Sequence, residues 1–163
     1  TCDTFTGPGL VDTGSGDVEV AECHAELRVK SGSGDLSVGR CHGELTVSTG
    51  SGNVEIGTAD GRTVVKTGSG DLRVATANAD LSLTTGSGDM AIDRARRGRV
   101  SARGASGGVR IGIPAGTPVW ADVNTVSGSI RSDIESVGAP QEGQEHLEFQ
   151  ARTVSGDIVL HQL

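Results

Sequence analysis

Residues 67–92 read TGSGDLRVATANADLSLTTGSGDMAI, and this stretch contains one full repeat of the chain. The tetrapeptide Gly-Ser-Gly-Asp occupies residues 68–71 and returns at residues 86–89. The same motif, once with Asn in place of Asp, also begins at residues 14, 32 and 50, so that every copy starts 18 positions after the one before. A fixed period of this kind indicates a repeat architecture in which each unit packs on its neighbours.

Two apolar pairs lie inside each repeat, and only Thr63 breaks this pattern. Leu72 and Val74 form the first pair in the quoted stretch, and Leu81 and Leu83 form the second, with one polar or small residue inside each pair. Alternation with a period of two predicts a β-strand with one buried face. The Gly, Ser, Asn and Asp residues between the pairs are those that tight turns require. Each repeat is therefore predicted to be strand, turn, strand, turn.

Such a repeat can form a stack of antiparallel hairpins or a coil whose turns pair in parallel. Hairpins would place unlike half-repeats side by side, whereas a coil places each residue on its equivalent in the next repeat, where the likeness is greatest. Thr49, Thr67 and Thr85 would then form a ladder with a rung spacing of about 4.8 Å. The sequence predicts an all-β, single-chain parallel β-helix (β-solenoid) in which each 18-residue turn consists of two nine-residue half-turns.

This register predicts which side chains are buried. We expect Leu72 inside the coil and Arg73 outside it, and the same for their equivalents in the other repeats. The predicted buried columns are Val18, Leu36, Val54, Leu72 and Met90, and Leu27, Leu45, Thr63 and Leu81. The predicted exposed column is Glu19, Ser37, Glu55 and Arg73.

The regular spacing of the repeats is lost after Ile92. The later part of the chain contains Pro114, Pro118 and Pro140. We predict one β-solenoid domain over residues 1–163, with regular repeats at 11–92 and irregular turns at 93–163. The irregular part is expected to include a C-terminal cap and a surface loop at residues 135–146. Because bulky residues suit a cap, Trp120 and Phe149 are expected there.

Composition limits the function. The chain has 163 residues, 26 of them Gly, and a formal net charge of −7. An acidic protein is poorly suited to follow a phosphate backbone, so nucleic acid is not an expected partner. No apolar run approaches the roughly 18 residues of a membrane span. Three Cys residues are too few for a disulfide scaffold.

Localisation is barely constrained by the sequence. The first residue is Thr and no signal segment follows it. We therefore expect that any native N-terminal portion has been removed or lies outside this chain. The expectation leans towards a cytoplasmic protein, with the cell surface as the alternative.

The repeats and the C-terminal part together resemble a known family. Residues 112–120 read GIPAGTPVW, residues 122–125 read DVNT, and residues 151–158 read ARTVSGDI. With the Gly-Ser-Gly-Asp repeats, they are similar to the bacterial adhesin-type β-strand-repeat family, domain of unknown function 4097. The resemblance covers nearly the whole chain and implies a single-chain parallel β-helix. It implies no catalytic residues, and many members have a further N-terminal portion.

Two Cys-His pairs are the candidate metal ligands. Cys23-His24 and Cys41-His42 are separated by one repeat period, so the coil stacks Cys on Cys and His on His. Four such side chains could hold zinc, or the two thiols could form a disulfide. Adjacent residues in a strand point to opposite sides, however, and the third interpretation is that all four are ordinary ladder residues. We expect no cofactor.

The repeated Asp residues allow a calcium ladder or a structural role. Asp17, Asp35, Asp71 and Asp89 would lie along one edge, with Asn53 between them. Calcium-binding rolls carry a different motif on both edges, so we expect turn carboxylates that accept backbone N–H bonds. Residues 104–108 match the GxSxG nucleophile motif, but no predicted helix follows them as that motif requires. No residue is expected to be catalytic.

The basic residues concentrate in one late turn. They form a candidate docking patch for an acidic partner, and the alternative is a solvated face. The patch comprises Arg94, Arg96, Arg97 and Arg99.

With nucleic-acid binding, membrane insertion and catalysis disfavoured, we expect a non-catalytic β-solenoid that serves as a scaffold or interaction module. It is expected to bind a protein partner or to self-associate. We expect end-to-end pairing through residues 1–11, because the first turn of a coil exposes unpaired backbone groups, unless residues outside this chain cover that turn. The alternative is an adhesin-like surface protein that binds glycan or protein. A third hypothesis is a carbohydrate-active β-helix enzyme, which the shortage of aromatic residues disfavours.

Overall fold

The computed structural model describes residues 2–134 and 146–163. These residues form 17 strands in two sheets. The nine-stranded sheet contains β1 (Cys2–Phe5), β3 (Val18–Cys23), β5 (Leu36–Cys41), β7 (Val54–Ala59), β9 (Leu72–Ala77), β11 (Met90–Ala95), β13 (Val109–Ile113), β15 (Ile130–Asp133) and β17 (Ile158–Gln162). The eight-stranded sheet contains β2 (Gly9–Ser15), β4 (Leu27–Ser33), β6 (Leu45–Ser51), β8 (Thr63–Ser69), β10 (Leu81–Ser87), β12 (Gly98–Ser106), β14 (Val119–Ser127) and β16 (Leu147–Ser155).

Every strand pairing in the described chain is parallel, and the chain alternates between the two sheets. Leu27 pairs with Leu45 and Leu36 pairs with Val54, which is the register of one full repeat that the sequence predicts. The β-solenoid prediction is thus confirmed. Nine strands at about 4.8 Å spacing give a rod roughly 40 Å long.

The two sheets enclose one thin aliphatic core. Leu72 is 1 % exposed and Leu27 is 0 % exposed, whereas Arg73 lies on the surface. The predicted columns are confirmed, except that Val18, in the second turn, is only half-buried. Thr63 is fully buried in the Leu27 column, where its hydroxyl donates to the Gly61 carbonyl at 3.2 Å.

Side-chain hydrogen bonds reinforce the corner that the repeated motif forms in each turn. The Asp71 carboxylate accepts from the N–H of Asp89, one turn further on, at 2.9 Å. Asn53 uses its amide oxygen in the same way towards the N–H of Asp71, at 3.0 Å. The Thr67 hydroxyl donates to the Ser69 carbonyl at 3.0 Å. The repeated motif therefore satisfies backbone and side-chain groups that the tight corner leaves unpaired.

The second Gly of the motif is required at this corner. Gly52 has a φ of 122°, and a Cβ there would collide with the carbonyl oxygen of Gly34 in the preceding turn. A side chain is disfavoured both by the backbone conformation and by the close approach of successive turns.

The last strands do not stack in chain order, contrary to the simple coil that the sequence predicts. Strand β16 lies between β12 and β14, and β17 lies between β13 and β15. The turn β14–β15 therefore forms the end of the solenoid. In this order the Asp157 carboxylate accepts a hydrogen bond from the N–H of Ser129, at 2.9 Å. Ser129 occupies the position equivalent to Asp157 in the final turn. It has no carboxylate, and in the described chain no further turn supplies an N–H for a carboxylate to bind.

The order of the turns also separates the two residues expected in a cap. Trp120 lies on the end strand β14 and is 56 % exposed, whereas Phe149 is fully buried in the turn beneath. Of the expected surface loop at residues 135–146, His146 is exposed and residues 135–145 lie outside the described residues.

Candidate functional site

The two cysteines of the Cys-His pairs lie inside the coil. Cys23 and Cys41 are paired neighbours, fully buried, with free thiols. The Cys23 thiol donates to the Ala25 carbonyl at 2.8 Å, and the Cys41 thiol donates to the Gly43 carbonyl at 3.3 Å. Burial, together with the neighbouring Cys23, raises the pKa of Cys41 to about 12. Both thiols are therefore core residues, and the Cys41 thiol remains protonated at neutral pH.

The two histidines lie on the opposite side of the backbone, on the outer corner of the coil. Their rings are stacked, with centroids 5.0 Å apart and planes 9° from parallel. The structure therefore separates Cys23 and Cys41 from His24 and His42, and the four residues do not converge.

A carboxylate completes the cluster around the histidines. Glu22 Oε1 lies 3.1 Å from His42 Nε2 and 3.5 Å from His24 Nε2. The three ligand atoms lie within 4.8 Å of one another, which is compatible with a shared metal ion. Sequence reasoning missed Glu22, although its position two residues before His24 places both side chains on the same outer side of the chain.

A second carboxylate supports His42 from the next turn. Asp60 Oδ2 lies 3.2 Å from His42 Nδ1 and accepts from Arg40 Nε at 3.0 Å. The other oxygen of Asp60 accepts from the Asn78 amide at 2.7 Å. The hydrogen bond from Asn78, with Arg40 and His42 close by, lowers the pKa of Asp60. Asp60 follows His42 by one repeat period, so the period was the signal that could have identified it.

The four arginines of the expected docking patch are all exposed, at and near one corner of the coil. Arg99 Nε lies 2.9 Å from Glu148 Oε2, and Arg97 Nε donates to the Asn78 carbonyl at 2.8 Å. Within the described residues, Arg94 and Arg96 have no side-chain ion pair. Two arginines of the patch are therefore solvated, and the other two bind neighbouring parts of the coil.

A second basic surface lies on the outer face of the eight-stranded sheet. Four exposed cations there share one column of the strand register and have no ion pair within residues 2–134 and 146–163. We call this column the basic stripe, and it consists of Lys30, Lys66, Arg103 and Arg152.

Two carboxylates that line a surface depression accept hydrogen bonds at corners of the coil. A depression of about 410 Å³ is lined by Asp89, Asp157 and Arg110, among others. Asp89 accepts from the Gly108 N–H at 2.7 Å, and Asp157 accepts from the Ser129 N–H. Hydrogen bonds from the backbone N–H and hydroxyl of Ser129 lower the pKa of Asp157. Both carboxylates are thus held as hydrogen-bond acceptors at corners of the coil.

The GxSxG serine lies in a strand. Ser106 is exposed at the end of β12, between Ser87 and Ser155 in the ladder. The described residues include no helix after it. The backbone there therefore lacks the strand-to-helix turn on which a nucleophile of this type depends.

The two outermost strands of the eight-stranded sheet each pair on one side only within residues 2–134 and 146–163. In the described chain β2 pairs only with β4, and β14 pairs only with β16. Following the register from strand to strand places Gly9, Val11, Thr13 and Ser15 in the same columns as Ala121, Val123, Thr125 and Ser127.

Comparison with known proteins identifies the family of this chain. The described residues contain no helix that is long and apolar enough to span a membrane. Neither the curated proteins nor the solved structures gave a match to the chain. The family model described as Toastrack DUF4097 matches residues 10–161, which confirms the resemblance drawn from the repeats. With its repeats, its two parallel sheets and this match over nearly its whole length, the chain belongs to the Toastrack DUF4097 family.

Proposed function

We propose that this domain is a non-catalytic scaffold whose copies associate head to tail through the ends of the solenoid. The observation that supports this most is the correspondence between its two end edges. Gly9 and Val11 on one edge occupy the same columns as Ala121 and Val123 on the other. A second copy placed on the end turn would therefore continue the ladders in register.

Strand direction selects the orientation of such a pair. All strands of the described solenoid run in parallel along their sheets. Placing the first turn of one copy on the end turn of another continues this parallel pairing, whereas joining two like ends would reverse it. A head-to-tail contact leaves one open end on each side, so it generates open chains of copies.

Exposed apolar side chains at the ends favour the same arrangement. Trp120 is 56 % exposed and Ile130 is 47 % exposed on the end turn. In the continued register Trp120 would lie next to Pro8 of the neighbouring copy, and Val123 would lie next to its Val11. The contact involves only one turn on each side, so the interface is small and the association is expected to be weak and concentration dependent.

The absence of a catalytic role is inferred from how the carboxylates are used. Asp89 and Asp157 accept backbone N–H bonds at the corners of the coil. A sugar-processing groove would also present aromatic rings, and Trp120 is the only tryptophan in the sequence. The family description names no catalytic activity.

Sedimentation velocity from about 1 µM to about 1 mM tests the association. Val11→Lys and Val123→Lys each place a charge on one end, and we expect each variant alone to be monomeric. Their mixture is expected to form dimers only, because each retains the end that the other lacks. Val64→Lys on the outer sheet face is the control and should associate like the unmodified protein. A monomer at all concentrations, or self-association of either blocked variant, would contradict head-to-tail pairing.

The basic stripe favours a second candidate function, which is binding of an acidic ligand along the flank. Lys66 and Arg103 lie in this stripe, on a protein whose net charge is −7. Salt-sensitive binding of polygalacturonate, lost in the Lys66→Glu/Arg103→Glu variant and kept in Arg73→Glu, is expected under this hypothesis. Equal binding by both variants would refute it.

A further inference from the structure

We propose that Glu22, His24 and His42 form a binding site for a divalent transition-metal ion of the zinc type, on the outer corner of the solenoid. The proposal is independent of end-to-end association, since the site lies on the flank. Two imidazoles and one carboxylate are a donor set that suits zinc, nickel and copper.

Two of the three distances between the donor atoms are close to those of a tetrahedral zinc site, and all three atoms lie within 4.8 Å of one another. Zinc binds nitrogen and oxygen at about 2.0–2.1 Å, so tetrahedral ligand atoms lie about 3.3 Å apart. Glu22 Oε1 lies 3.1 Å from His42 Nε2 and 3.5 Å from His24 Nε2. Both separations are close to that value. The stacked rings are partly exposed and nearly parallel, so they would have to tilt towards each other for both nitrogens to face one ion.

Two carboxylates flank the His42 ring. Asp60 Oδ2 lies 3.2 Å from Nδ1 and Glu22 Oε1 lies 3.1 Å from Nε2, so each ring nitrogen faces a carboxylate oxygen. A ring nitrogen at this distance from a carboxylate oxygen can form a hydrogen bond to it or bind the same cation. In the metal-bound arrangement Nε2 would bind the ion together with Glu22, and Nδ1–H would donate a hydrogen bond to Asp60.

Asp60 holds the ring as outer-sphere carboxylates hold metal-binding histidines elsewhere. It is itself fixed by hydrogen bonds from Asn78 at 2.7 Å and Arg40 at 3.0 Å. Such a partner orients the ring and increases its basicity towards a metal. The support comes from the next two turns of the coil, so the solenoid ladder itself orders the site.

The buried thiols do not belong to this site. Cys23 and Cys41 point into the core and donate to backbone carbonyls. The site is therefore expected to use nitrogen and oxygen donors alone. Because its three side chains lie at the surface, at least one coordination position remains for water or an external ligand.

The test is calorimetric titration of the reduced protein with zinc chloride. We expect one saturable site in the unmodified protein, and affinity at least tenfold weaker in His24→Gln, His42→Gln and Glu22→Gln. Asp60→Asn should weaken binding about tenfold as well, through the orientation of His42. His161→Gln, which removes another histidine at the surface of the coil, is the control and should bind normally. Circular dichroism checks that each variant is folded, as expected for exposed positions.

Cobalt(II) absorption identifies the donor atoms in the unmodified protein and needs no variant. Nitrogen and oxygen ligation gives weak visible bands without the intense near-ultraviolet charge-transfer band of thiolate. The proposal is overturned by a thiolate band, by zinc binding that the three ligand variants leave unchanged, or by no saturable binding up to about 100 µM zinc, which corresponds to roughly 5.5 kcal/mol.

Discussion

Replacing Asp71 by Ala and by Asn separates the two roles that its carboxylate could have. The Asp71 oxygen accepts from the N–H of Asp89 at 2.9 Å, and Asn53 makes the equivalent bond to the N–H of Asp71 at 3.0 Å. An amide oxygen therefore performs this role naturally in the same ladder. We expect Asp71→Asn to be nearly neutral and Asp71→Ala to be destabilising.

The structure indicates how much stability the Asp71→Ala variant should lose. Asp71→Ala removes one solvent-exposed hydrogen bond and leaves the bond from the backbone N–H of residue 71 to Asn53 in place. The expected loss in the free energy of unfolding is about 1 kcal/mol, or roughly 2–4 °C in melting temperature for a chain of this size. Adding Asp35→Ala removes a second bond two turns away, about 10 Å distant, so the losses should add to about 2 kcal/mol.

Urea unfolding followed by circular dichroism measures these differences, with and without calcium. The expected order of stability is the same under both conditions. If Asp71→Asn is as destabilising as Asp71→Ala, the negative charge matters and the acceptor explanation fails. If calcium stabilises the unmodified protein and neither variant, the row of carboxylates is a cation site. If Asp71→Ala is neutral, the ladder contributes nothing to stability.

Three further outcomes follow from burial and titration. Leu72→Asp should cost several kcal/mol in calorimetry because it buries an unpaired charge, while Arg73→Ala should leave the unfolding transition nearly unchanged because Arg73 lies on the surface; equal losses would refute the register. Cys23 and Cys41 should resist iodoacetamide in the native protein at pH 8, as peptide mapping would show, because the reagent cannot reach thiols that are fully buried; rapid alkylation would contradict their placement. The lowered pKa of Asp157 means that its contribution to stability is present above its unfolded pKa and is lost as pH falls through the lower folded value. Asp157→Asn should therefore flatten the acid limb of the stability profile, and an unchanged limb would contradict that assignment.

The regular turns could be predicted from the sequence because their register depends on local pattern. Leu72 and Arg73 alternate across one strand, and the likeness between successive repeats places each on its equivalent. The insertion of β16 and β17 before the end turn could not be predicted in this way. It depends on which of two similar segments pairs better with β12 and β13, and Asp157 and Ser129 distinguish them only once the corner hydrogen bond is known.

The candidate site was predicted only in part. The period identified His24 and His42 as neighbours, but the functional grouping depends on which side of the backbone each residue faces. Alternation across the strand sends Cys41 inwards and leaves Glu22 outside. Asp60 enters the site from the following turn, so it is found only when the coil geometry is combined with side-chain chemistry.

Amide hydrogen exchange at two protein concentrations tests the central claim, that copies associate through both ends of the solenoid. At about 10 µM the free edges of β2 and β14 should exchange rapidly, and at about 1 mM the amides on both edges should be protected together. Amides of β6 and β8, in the middle of the rod, should exchange equally at both concentrations. Exchange at the two ends that does not change with concentration, or protection confined to one end, would contradict the head-to-tail scaffold.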